Sequence, residues 1–202
     1  NPASFEVKQL KDALWDEYGV DDGILEERAE CYDEMGFIEL ALADVDKAIE
    51  ICRDRNKPYF YALRSSINRH GANYMECIDD IEKFIDRYPT DAYGYYVRGW
   101  CKELSGNRAG AYEDYNEGIA VDEDYPYIFL MRGTLFLEDG DVEKANLDFE
   151  RVVAKDTTLE SGSCRHYALN LLGKTEEALE WMDKLIELDV DDPGMWYDKS
   201  CL

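Results

Sequence analysis

The sequence predicts an all-α protein, a right-handed solenoid of five antiparallel helical hairpins with flanking helices and no β-sheet. Three observations support this prediction: a 34-residue internal period, helical spacing of apolar and small residues within each unit, and no sustained alternation typical of strands. Apolar residues make up 46% of the 202-residue chain, which is enough to bury a substantial core. We therefore expect a folded repeat protein.

The internal period divides the chain into units. A shift of 34 residues aligns 58–91, 92–125 and the segment from 126 onward without a gap. A linker longer by two residues brings 22–57 into register, and a deletion of one residue near 158 brings in the fifth unit. We predict an N-terminal helix that is either a cap or a partial repeat, and then a solenoid, with these bounds: helix 1–21, solenoid 22–202, repeats 22–57, 58–91, 92–125, 126–158 and 159–192, and the start of a sixth at 193–202. Because the chain begins at Asn1 and stops inside that sixth unit, we expect it to be part of a longer protein.

Each unit is predicted to contain two helices of about a dozen residues joined by a tight turn. In the third unit, Tyr95 and Gly99 follow a helical spacing, the break comes at Ser105-Gly106-Asn107, and Ala111 and Tyr115 resume the spacing. Acidic clusters such as Asp122-Glu123-Asp124 precede the next helix, where carboxylates cap free N–H groups and oppose the helix dipole.

Small residues recur at three positions of the unit, and they carry a family resemblance. The eighth position holds Ala29, Ser65, Gly99 and Gly133, and the twentieth holds Ala41, Cys77, Ala111, Ala145 and Ala178. Small side chains allow the two helices of a hairpin to approach closely. With this pattern the chain resembles the tetratricopeptide repeat family over about nine-tenths of its length. The departures are His166 at an eighth position, and Phe84, Val152 and Leu185 at the twenty-seventh, where Ala48 and Gly118 keep the small residue.

Composition excludes several classes of partner and activity. The chain has 22 Lys and Arg against 46 Asp and Glu, a net charge of −24, which repels nucleic acid and anionic lipid surfaces. No apolar run reaches the length of a membrane span. The six cysteines lack a C-x-x-C pair, so we expect reduced thiols and a cytoplasmic protein.

We predict no enzymatic activity, no cofactor and no metal site. Only two histidines occur, far apart in the sequence, and there is no phosphate-binding glycine loop or nucleophile motif. Two function classes remain. The first is an interaction module that binds a protein or peptide segment, and the second is a structural spacer or self-association region of a larger protein.

A ladder of arginines at the seventh position is matched by aspartates at the twenty-third. We predict that these pairs are structural ion pairs that brace each hairpin: Arg28 with Asp44, Arg64 with Asp80, Arg98 with Asp114, and Arg132 with Asp148. The fifth unit has Trp181 in place of the aspartate, so we expect Arg165 to be freer to contact a ligand or a neighbour.

Tyrosines recur every 34 residues, and the resemblance implies that they line the concave face built by the first helices. On that reading the groove has an anionic end and an aromatic centre, and it binds a peptide with apolar anchors and basic residues. The alternative is that Tyr59, Tyr93 and Tyr127 only pack against adjacent repeats. The candidate binding residues are Tyr59, Tyr93, Tyr96, Trp100, Tyr127, Leu130, Tyr167, Glu26, Glu30 and Glu34.

The resemblance also gives a negative expectation. Some tetratricopeptide domains clamp the C-terminal carboxylate of chaperone tails with Lys, Arg and Asn at defined positions. Those positions hold Glu26, Glu30, Leu63, Tyr93 and Val97 here. We therefore expect no appreciable binding of acidic chaperone tails.

Overall fold

A computed structural model describes residues 21–157 and 164–188 of the chain. These residues form ten α-helices and no strand, which confirms the predicted all-α class. In chain order the helices are α1 Asp22–Glu34, α2 Ile38–Ile51, α3 Lys57–His70, α4 Tyr74–Arg87, α5 Ala92–Leu104, α6 Arg108–Val121, α7 Pro126–Glu138, α8 Val142–Lys155, α9 Arg165–Leu171 and α10 Thr175–Leu188. The predicted N-terminal helix and the start of the sixth unit lie outside the described residues.

Consecutive helices pack as hairpins closed by one kind of tight turn. The residue after the turn donates its N–H to the carbonyl five residues back, as Phe37 does to Tyr32 at 2.8 Å. This bond is the hallmark of a Schellman-type helix end, which needs a left-handed residue in the turn. Gly36, Gly106, Gly140 and Gly173 supply that backbone with φ of 75–86°, and Ala72 supplies it in the second hairpin with φ of 59°.

The chain divides into two compact units, residues 1–114 and 115–202. In the first unit, the core is formed by Leu25, Val45 and Ile67 in one cluster, and by Ile81 and Val97 in another. In the second unit, the described core is formed by apolar side chains of α7, α8, α9 and α10, including Phe129, Phe149, Ala168 and Met182.

The small residues of the repeat lie where helices approach each other. The alanines at the twentieth position are completely buried. A methyl group built on Gly133 would lie only 2.7 Å from Cε1 of Phe149 on the second helix of the same hairpin. The larger residues Phe84, Val152 and Leu185 at the twenty-seventh position, and His166 at the eighth, are also buried, so these departures from the consensus are accommodated within the core.

The structure corrects the expectation that the cysteines are all reduced. Cys77 on α4 and Cys101 on α5 form a disulfide bond, and both side chains are fully buried. The bond joins the second helix of one hairpin to the first helix of the next. Among the described residues, Cys31, Cys52 and Cys164 carry thiols that form no disulfide bond. Because disulfides are typical of oxidising compartments, cysteine usage no longer supports a cytoplasmic location, which stays a prediction.

Candidate functional site

The arginines at the seventh position of the first four repeats each contact the aspartate sixteen residues later. Arg28, Arg64 and Arg132 make two parallel bonds from Nε and Nη2 to the two carboxylate oxygens, at 2.6–2.8 Å. Arg98 donates from Nε and Nη2 to Oδ1 of Asp114 at 3.0 and 2.7 Å. The four aspartates are buried. These guanidinium groups are therefore engaged within their own hairpins.

Arg165 of the fifth unit, which lacks the aspartate, is engaged in another way. Its Nη1 donates to the carbonyl oxygens of Val153 and Asp156 at the C-terminal end of α8. Its guanidinium carbon also lies 4.6 Å from the centroid of the Trp181 ring. Of the two contacts expected for Arg165, with a ligand or with a neighbour, the structure shows the second: Arg165 contacts a neighbouring helix, whose end carbonyls attract a cation.

The first helices α1, α3 and α5 of the first unit contact one another in sequence. We call the surface that carries Glu26, Glu30, Tyr59, Tyr96 and Trp100 the first-helix wall. Polar and aromatic contacts connect its three helices. The hydroxyl of Tyr59 donates to Oε1 of Glu26 at 2.6 Å, from α3 to α1, and this hydrogen bond raises the pKa of Tyr59. Half of the Tyr59 side chain remains exposed, at 50%.

The aromatic residues of α5 form a continuous row along the first-helix wall. Ring centroids are 6.3 Å apart between Tyr93 and Tyr96 and 5.7 Å apart between Tyr96 and Trp100, within the range of favourable aromatic pairs. Tyr93 and Tyr96 also pack on the buried cluster that contains the disulfide, and burial raises the pKa of Tyr93. All three side chains remain partly exposed. The row thus contributes to the core and also presents aromatic surface.

A second set of contacts runs from α1 through α3 to α5. The guanidinium carbon of Arg69 lies over the Trp100 ring, 3.9 Å from its centroid. Nη2 of Arg69 is 2.8 Å from Nε2 of His70, and Nδ1 of His70 is 2.7 Å from Oδ2 of Asp33. Because an arginine only donates, Nε2 of His70 is the acceptor in the first contact and Nδ1 is the donor in the second. In the tetratricopeptide pattern, Asp33, Arg69 and His70 fall at first-helix positions that line the concave face, but no sequence pattern indicated their contacts with one another.

Carboxylates occupy the α1 end of the first-helix wall. Glu30 and Glu34 are exposed, and Glu26 is half-buried where it accepts from Tyr59. These carboxylates produce a negative potential that would attract a cationic group of a ligand. The net charge of −24 reinforces this potential.

The candidate binding residues of the second unit are Tyr127, Leu130 and Tyr167, and their surroundings differ from one another. Tyr127 and Leu130 on α7 are half-buried and pack on the apolar cluster that contains Phe129 and Phe149. Burial raises the pKa of Tyr127. Tyr167 on α9 is 44% exposed, and its ring centroid lies 3.9 Å from that of His166. Tyr127 and Leu130 thus contribute mainly to packing, whereas Tyr167 presents aromatic surface.

Known proteins that are similar to this chain include several tetratricopeptide repeat proteins. No family model matches the chain. A TPR repeat-containing protein of Methanocaldococcus jannaschii is 30% identical over 173 residues, covering 79% of this chain and 30% of that protein. The crystal structure of a tetratricopeptide repeat protein from Parabacteroides merdae has a TM-score of 0.70 at 18% identity, covering 97% of this chain and 76% of that one. The chain is a tetratricopeptide repeat protein.

The similarity covers only part of each curated relative. The chain spans less than half the length of the curated relatives it matches. YrrB, a TPR protein whose crystal structure is described as having an unusual peptide-binding site, has a TM-score of 0.53 at 19% identity and covers 94% of this chain and 97% of its own. Tetratricopeptide proteins generally act as protein–protein interaction modules.

Within 21–157 and 164–188, no group of three or more His, Cys, Asp or Glu side chains is placed to hold a metal ion. No helix in the described part of the tetratricopeptide chain is long and apolar enough to cross a membrane.

Proposed function

We propose that the first-helix wall binds a peptide segment of a protein partner, in extended or helical form. The partner's apolar side chains pack on Tyr96 and Trp100, and its basic residues face Glu26, Glu30 and Glu34. The observation that carries this proposal is the partly exposed aromatic row of α5 in the same unit as the exposed carboxylates of α1. Because these carboxylates are negatively charged, the peptide that complements them is basic.

The aromatic residues and the carboxylates of the first-helix wall have different energetic roles. Aromatic anchors that lose water on binding contribute most of the affinity at interfaces, with about 2 kcal/mol or more for the dominant residues. Exposed carboxylates add less affinity, but they accelerate the encounter and set the orientation of the partner. Binding should therefore weaken as salt rises, because ions screen charges that lie in water.

The test is selection of a random displayed peptide library on the immobilised chain at low salt. We expect enrichment of peptides that combine Lys or Arg with aromatic or aliphatic residues. A labelled peptide from this pool should lose about 2 kcal/mol of affinity when Trp100 is replaced by Ala. The triple variant E26Q/E30Q/E34Q should slow association and reduce its dependence on salt.

Matched controls are available on the second helices. Met75 is 63% exposed on α4, so Met75→Ala removes apolar surface outside the wall and should leave affinity unchanged. Glu39→Gln and Glu76→Gln change charge at exposed positions of α2 and α4. The proposal fails if no such peptides are enriched, or if Trp100→Ala lowers the melting temperature sharply while peptide affinity is retained. A concentration-dependent sedimentation coefficient with no peptide binding would favour the alternative, a spacer or self-association region.

We also propose that acidic chaperone tails are not ligands. At the positions where clamp-type domains carry Lys, Asn and Arg, this chain has Glu26 and Glu30, the half-buried Leu63 and Tyr93, and the buried Val97. Two carboxylates would repel a terminal carboxylate instead of neutralising it. Calorimetry with a chaperone tail peptide should give no binding tighter than about 1 mM, and a submillimolar affinity would refute this prediction. For the same electrostatic reason we expect neither nucleic acid nor anionic membranes as partners.

A further inference from the structure

Arg69 differs from the arginines at the seventh position of the first four repeats in having no aspartate in direct contact. Among the described residues, no carboxylate forms an ion pair with Arg69; its side-chain nitrogens contact only His70 and Ser66. Asp33 contacts the imidazole of His70 and not Arg69, and its attraction for the guanidinium group is weaker than the effect of burial. The guanidinium group thus has no carboxylate in direct contact among the described residues.

The geometry of Arg69 leaves its polar edge available to a ligand. The guanidinium carbon lies over Trp100, 3.9 Å from the ring centroid, and this contact restrains the position of the fork. Both hydrogen bonds use Nη2, so the donors on Nε and Nη1 contact no acceptor among the residues that the structure describes. Burial lowers the pKa of Arg69. A planar, pre-oriented fork of this kind suits two parallel bonds to a carboxylate.

We propose that Arg69, held on Trp100, binds one side-chain carboxylate of the peptide that occupies the first-helix wall. This inference rests on the function proposed above and adds an acidic residue to a ligand that is otherwise basic and apolar. A single negative charge suits the site because Asp33 and the overall charge of the chain oppose a more highly charged group such as a phosphate. The chain would then recognise both basic and acidic residues of the same peptide. The order of these residues would fix the direction of the peptide along the first-helix wall.

The experiment repeats the library selection on the wild-type chain and on Arg69→Gln in parallel. We expect the wild-type pool to contain one Asp or Glu at a constant distance from its basic and apolar residues. The Arg69→Gln pool should keep the basic and apolar residues and lose the acidic one. Arg53→Gln, at an exposed position outside the first helices, removes the same charge and should leave the acidic preference intact.

A double-mutant cycle with a synthetic peptide from the wild-type pool separates a direct contact from an indirect effect. Arg69→Gln and replacement of the peptide's Asp by Asn should each weaken binding about tenfold, and the two together should cost little more. Arg69→Lys, which keeps the charge but not the fork, should recover only part of the loss. A peptide with phosphoserine at that position should bind more weakly than the Asp peptide.

The outcomes distinguish this inference from the function on which it rests. If basic and apolar residues are enriched but the acidic residue is absent, or persists on Arg69→Gln, the inference is wrong and the proposed function stands. Tighter binding of the phosphoserine peptide would also overturn it, because the site would then be selective for phosphate. If neither feature is enriched, the proposed function itself fails. Circular dichroism of each variant checks that the fold is retained.

Discussion

Breaking the disulfide between Cys77 and Cys101 should destabilise the first unit. The bond links residues separated by 24 positions and so closes a loop of about 25 residues in the unfolded chain. On the chain-entropy model, such a loop restricts the unfolded state by about 3.5 kcal/mol at room temperature. The native contacts of the pair are already buried in the cluster with Ile81 and Val97, so reduction leaves the packing of the folded state largely unchanged.

The expected result is a lower melting temperature in the presence of reductant. For a chain of this size, a loss of 3.5 kcal/mol corresponds to a shift of roughly 10 °C. Thermal unfolding followed by circular dichroism, with and without reductant, measures it. Mass analysis after alkylation in denaturant should find two fewer reactive thiols in the oxidised chain.

Cys101→Ala provides the matched control. This variant should melt close to the reduced wild type, and reductant should not lower its melting temperature further. An unchanged thiol count on reduction would refute the bond itself. A changed thiol count with an unchanged melting temperature would refute the argument that the crosslink acts through the unfolded state.

Two other stability predictions follow from contacts in the hairpins. Asp114→Ala should lower the free energy of unfolding by about 1–3 kcal/mol in denaturant titrations, because Arg98 and Lys102 lose their shared acceptor; the exposed Asp79→Ala is the control, and equal stability of the two variants would refute the prediction. Gly133→Ala should cost about 1–3 kcal/mol because its new methyl group would lie 2.7 Å from Phe149. Gly23→Ala, whose methyl group has its nearest contact at 3.4 Å, is the control, and a neutral Gly133→Ala would show that the hairpin relaxes at no cost.

The sequence was sufficient to predict those features that repeat. Five repetitions of small residues at fixed spacing determined where helices approach, and the structure has its helices in that register. Arginine and aspartate sixteen residues apart lie on adjacent turns of paired helices whenever the hairpin forms, so their proximity follows from the spacing alone. Residues such as Ala41 and Ala111 are buried for the same geometric reason.

Features that occur once were not predictable in this way. Cys77 and Cys101 have no counterpart pair in other repeats, and the spacing of 24 residues signals nothing until α4 is known to pack against α5. Arg69 and Trp100 lie on successive first helices, but the stacking of their side chains depends on rotamers that no period specifies. The contact between Arg165 and the carbonyls of α8 depends on the end of that helix, which is not visible in a repeat pattern.

Departure from the period is therefore the best guide to function in this chain. The arginines of the seventh position recur in every unit, and in four of them they pair with aspartate, as a residue required by the fold should. The twelfth position, in contrast, holds Asp33, Arg69, Glu103 and Leu137 in successive units, so the hairpin does not require arginine there. An unpaired, partly buried cation carries a desolvation cost that the fold gains nothing from. In the complex that we propose, a carboxylate of the ligand offsets this cost, and Arg69 lies where such a ligand would also contact the partly exposed aromatic row of the first-helix wall.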